Sequence, residues 1–94
     1  MRKHFITYRE LTKLVILHLI KQGIKYTTPL KEFLSSSVYE DLIPEMVNEN
    51  LIEINKTSRG CLHQLTERGL DVYNSYFGLI PEIFIGLNKI WQAE

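Results

Sequence analysis

Three groups of side chains in this chain have types and spacings that could do chemistry. Cys61 and His63 lie two apart, so on a strand they would share a face. A metal centre would need two further ligands, and no His-x-x-His or Cys-x-x-Cys spacing supplies them. A Cys–His nucleophile pair would also need a pocket and oxyanion donors, which nothing in the sequence marks. His18, in the apolar run Leu14 to Ile20, reads as a buried or half-buried packing residue. There is no phosphate-binding glycine loop. Neither catalysis, nor a metal, nor a cofactor is expected.

The second group is Lys56-Thr57-Ser58-Arg59. Two cations flanking two hydroxyls suit a phosphate backbone, because the cations release counterions and the neutral donors fix register. The alternative is an ordinary solvated turn. The third group is Glu40, Asp41, Glu45 and Glu49. These acids would repel phosphates wherever they faced them and would attract a basic protein partner.

The elements that must position these groups follow from periodicity and caps. Thr7 and Glu10 form a capping box that opens a first helix, which Gly23 ends. Its apolar face is Leu11, Leu14, Val15, His18 and Leu19, widened by Leu17 and Ile20. Ile24 to Thr27 is β-prone and long enough for one short strand that could pair with a hairpin. Thr28 as N-cap and Pro29 at the first position start a second helix burying Leu30, Phe33 and Leu34. Ser37 and Glu40 form another capping box, and a third helix runs to about Glu49. Pro44 is expected to kink or break it. Asn50 takes the left-handed position after its end.

Residues 50–69 then carry apolar alternation on both sides of a polar turn, Lys56 to Gly60, which predicts a two-stranded hairpin. Thr66 caps a fourth helix, with Leu65 and Leu70 placed as a hydrophobic staple. Its buried positions are predicted as Leu70, Tyr73, Tyr76 and Phe77.

Composition bounds the rest. The chain has 94 residues, 45% hydrophobic and 23% charged, which suits one small domain. A single cysteine excludes an internal disulfide framework. No stretch resembles a signal peptide or a membrane span, so a cytoplasmic location is the expectation. Net charge is zero but polarised. Residues 1–25 carry Arg2, Lys3, Arg9, Lys13, Lys21 and Lys25 against Glu10, a balance of +5. Residues 26–50 carry Lys31 against Glu32 and the four acids above, a balance of −4.

The order helix, short strand, helix, turn, helix, hairpin resembles the winged helix-turn-helix family of DNA-binding proteins. The resemblance covers roughly residues 7–77. It rests on Leu42, Met46, Asn50, Leu51 and Ile52, and on Leu65-Thr66-Glu67-Arg68-Gly69 after the second strand. It is similar to small archaeal or phage-type winged helices and to PadR and MarR-type regulators, which add a terminal dimerisation helix. It implies an α+β fold with a C-terminal helical extension, and binding of double-stranded DNA as a small transcriptional regulator. It further implies base readout by Ser36, Ser37, Tyr39 and Glu40 and wing contacts by Lys56, Thr57, Ser58 and Arg59. Lys25, Thr28 and Lys31 would meet phosphates, with Arg2 and Lys3 as an arm. Winged helices also serve as protein-interaction modules, and the acidic third helix suits a basic partner.

The whole chain, 1–94, reads as one winged-helix domain with a core at 7–77 and a C-terminal dimerisation segment at 70–92. That segment is unusually apolar: Tyr73, Tyr76, Phe77, Ile80, Ile83, Phe84, Leu87, Ile90 and Trp91. Homodimerisation through this surface is the expectation; the alternative is fold-back onto the first helix. Lys89 is its only basic residue, which argues against a membrane-surface helix.

Overall fold

The computed structural model describes residues 7–76. Thr7 accepts from the Glu10 amide and Glu10 answers to the Thr7 amide, which fixes the start of α1 (Tyr8–Lys21). α1 is the central element: Val15, Ile16, Leu17 and Leu19 are buried on more than one side, so its apolar surface is wider than a single stripe. Gly23, at φ 104°, ends it. The Ile24 amide donates to Leu19 O and the Gly23 amide to Ile20 O, the Schellman closure that a left-handed residue permits.

α2 (Thr27–Leu34) starts earlier than the Thr28–Pro29 pair predicts. Its N-cap is Tyr26, whose side chain makes no capping bond. Tyr26 is held extended by a β-bridge to Leu62, so a tertiary contact sets the boundary in place of a local cap. The short strand expected at Ile24 to Thr27 is reduced to this one bridge.

α3 (Ser36–Asn48) is likewise capped upstream of the predicted box, by two residues. Ser35 is the N-cap, at φ 87°, and its Oγ accepts from the Val38 amide. Pro44 does not break the helix, which runs continuously through it. Pro44 is exposed, so the Glu40 carbonyl that loses its donor faces water. Asn50, at φ 62°, closes α3 as expected, with Leu51 N bonding Met46 O.

β1 (Ile52–Thr57) and β2 (Gly60–Leu65) pair antiparallel, with Ile54 opposite His63 and Lys56 opposite Cys61. The strands run further than expected, leaving only Ser58 and Arg59 as the turn. Neither has positive φ; Gly60 does, at 121°. Thr66 then caps α4 (Glu67–Ser75), accepting from Gly69 N and donating to Asn50 O.

The four helices and the hairpin enclose one core. Leu14, Val15, Ile16, Leu17 and Leu19 of α1 meet Leu30 and Leu34 of α2, Leu42, Ile43 and Met46 of α3, then Leu51, Ile52 and Tyr73. Leu70 and Tyr76 are exposed at 38% each, which corrects the expected face of α4. Its buried positions are Gly69 and Tyr73, with Val72 half-buried. No helix among the described residues is long and apolar enough to cross a membrane.

Candidate nucleic-acid interface

The acids of α3 decide what that helix can offer a ligand. Asp41, Glu45 and Glu49 recur every four residues and so form one stripe. That stripe lies against α1. Arg9 Nη1 is 2.7 Å from Asp41 Oδ2, and Arg9 Nε donates to Glu45 Oε1 at 3.1 Å. Lys13 pairs with Glu45 and, at 2.9 Å, with Glu49 Oε1. The hydrogen bonds from Arg9 and then Lys13 hold the Glu45 carboxyl down to about 2, against an ordinary 4.5. Arg9 is raised in turn, chiefly by Glu45. Lys13 is also raised: its burial opposes the charge, and its bonds to Glu45 and Glu49 outweigh that burial.

Removing this stripe and the buried Leu42, Ile43 and Met46 leaves one outward face on α3. It carries Ser36, Ser37, Glu40, Pro44, Val47 and Asn48, all exposed. Glu40 is the one acid there, and it lies 3.5 Å from Lys31 Nζ. Val47 is 41% exposed. Pro44, Val47 and Asn48 were absent from the sequence-based site. Their spacing of four, seven and eight from Glu40 is the signal that would have found them.

The hairpin tip supplies cations. Lys56 and Arg59 are exposed and have no ion-pair partner among the described residues. Thr57 serves the turn itself, donating to Gly60 O at 2.8 Å and accepting from Arg59 N at 3.1 Å. Ser58 is exposed at the turn. Glu53, three residues before Lys56, falls on the opposite face of the pleat.

The remaining expected contacts divide. Lys25 and Thr28 are exposed. Lys31 lies over the Tyr39 ring, 5.3 Å from its centroid, as well as near Glu40. Tyr39 is half-buried and its hydroxyl is occupied within the fold: 2.7 Å from His63 Nε2 and 3.3 Å from Thr27 Oγ1. His63, fully buried, sets Nδ1 2.9 Å from the carbonyl of Lys25. A carbonyl can only accept, so Nδ1 carries the proton and Nε2 accepts from Tyr39. Both ring nitrogens are thus engaged in packing, and Tyr39 is placed as their partner and not at the surface that bases would meet.

Of the expected dimerisation residues, Tyr73 is 3% exposed and packs within the chain, its hydroxyl 3.0 Å from His18 Nδ1. Tyr76 is exposed. Phe77, Ile80, Ile83, Phe84, Leu87, Ile90 and Trp91 lie outside the described residues, as do Arg2 and Lys3.

No family model matches the chain, and comparisons with curated proteins and with solved structures gave no match.

Proposed function

We propose that this protein binds double-stranded DNA through a winged-helix-like surface made of the outward face of α3 and the β1–β2 tip, acting as a small transcriptional regulator. The observation that carries the reading is the ion-pair stripe between α1 and α3. An acidic third helix is the main objection to groove binding, and three of its four acids are turned away and neutralised by Arg9 and Lys13. What remains outward suits a major groove. Ser and Asn offer neutral donors and acceptors, Val47 offers an apolar contact for a thymine methyl, and Glu40 could accept from a cytosine amine. Lys56 and Arg59 would grip the adjacent backbone.

A fluorescently labelled duplex titrated at low salt tests this. The Lys56→Ala/Arg59→Ala variant should bind about tenfold or more weakly. Unchanged affinity would remove the tip from the contact. The competing reading, a module that offers its acidic helix to a basic protein, needs that partner to displace Arg9 and Lys13 from the stripe. Flow-through on both heparin and nonspecific DNA at low salt would favour it.

A further inference from the structure

Four segments meet around the buried His63 ring. Thr27 comes from the first turn of α2, Tyr39 from α3, His63 from β2, and the Lys25 carbonyl from the segment bridged to β2. The His63 amide donates to the same carbonyl at 2.8 Å, so Lys25 O holds both the backbone and the ring of His63. The Thr27 and Tyr39 hydroxyls and the His63 ring make a directional chain, because the Lys25 carbonyl fixes one end of it. The Tyr39 and His63 rings meet edge to face, with centroids 5.6 Å apart. Among the described residues no buried side-chain nitrogen or oxygen lacks a partner.

This cluster joins the two elements that carry the proposed contacts. α3 and the hairpin are otherwise joined by the Leu51 N to Met46 O hydrogen bond at the base of β1 and by the shared apolar core of Ile43, Met46, Leu51 and Ile52, which resist separation but fix the angle of the strands beyond Ile52 weakly. Beyond Ile52 the outer part of β1 is exposed on both faces. Hydrogen bonds are directional where dispersion is not.

We propose that Tyr39 and His63 are positioning residues: their hydrogen bond sets the angle of the hairpin to α3, so that the tip and the outward helix face engage one duplex as a single rigid surface. The inference rests on the DNA-binding reading for its functional half, and its structural half is tested without DNA.

In a Cys61→Ser background, nitroxide labels at Asn48→Cys and Ser58→Cys report the distance between helix face and tip. The parent should show one narrow distribution, and Tyr39→Phe, which keeps the ring under Lys31, should broaden or shift it. If Tyr39→Phe does not fold, Tyr39→Phe/His63→Phe replaces both polar partners with rings and leaves neither unpaired; it is read in the same way. A distribution identical to the parent's would overturn the proposal. In the second arm, Tyr39→Phe should weaken duplex binding about three- to tenfold in the parent. That loss should largely vanish in the Lys56→Ala/Arg59→Ala background, since a misaligned tip has nothing left to lose. Additive losses would overturn the coupling. A broadened distribution with no duplex binding by the parent would retain the positioning role and remove the DNA reading.

Discussion

A Cβ built on Gly69 would lie 1.9 Å from the carbonyl oxygen of Leu51. Both atoms belong to backbones that are held elsewhere: Gly69 N bonds Thr66 Oγ1, and Thr66 N bonds Leu51 O. Gly69→Ala should therefore cost at least about 2 kcal/mol in urea unfolding, and a variant as stable as the parent would mean that α4 is seated differently. The run Thr66 to Gly69 marks the cap in sequence. The need for glycine comes from Leu51, eighteen positions away, and no local rule contains it. His18 makes a second prediction at this scale. Burial lowers its ring below the ordinary 6.5, so the folded protein keeps it neutral while the unfolded chain takes a proton. Stability is then complete above about 6.5 and falls as pH drops through that value. Thermal melts between about pH 8 and pH 5 should show the decline, and His18→Gln should flatten it; an equal slope in both would assign the decline to other groups.

Between elements, the α1–α3 ion pairs give the clearest dependence on solution conditions. Glu45 is depressed to about 2 by Arg9 and Lys13, so its contribution is present above its ordinary 4.5 and is lost as pH falls from there toward 2. Arg9→Gln/Lys13→Gln should remove that part of the acid transition. A transition of unchanged shape would show that the pairs do not couple to folding, as many exposed pairs do not. These pairs join residues 32 and 36 apart, so the sequence shows four acids on one helix and an early basic stretch without showing that they meet. Caps and C-terminal closures were legible at Thr7, Gly23, Asn50 and Thr66, where a residue answers to neighbours within a turn. The starts of α2 and α3 were not. The Tyr26–Leu62 bridge sets the first, and Ser35 at positive φ sets the second. The hairpin's existence was plain in its alternation, while the tip is tighter than the polar run suggested because Lys56 and Thr57 remain in β1.

At the scale of the whole molecule, a net charge of zero conceals a segregation that bears on binding. Arg9 and Lys13 are spent on the acid stripe, so they are not part of a positive surface, and among the described residues Lys21, Lys25, Lys56, Arg59 and Arg68 are left exposed outside ion pairs. Asp41→Asn/Glu45→Gln/Glu49→Gln would release both cations and reduce the negative field around α3. Duplex affinity at low salt should then rise about three- to tenfold. A fall would mean that the stripe itself takes part in recognition. The central claim, that the hairpin tip and α3 hold a DNA backbone, is tested most directly by the salt dependence of duplex binding in the parent and in Lys56→Ala/Arg59→Ala. The account predicts a steep decline of log K with log salt in the parent, and a slope smaller by about 1.8 in the variant, since each lost phosphate contact removes about 0.9. Parallel lines for the two proteins, or a parent whose duplex binding ignores salt, would contradict it.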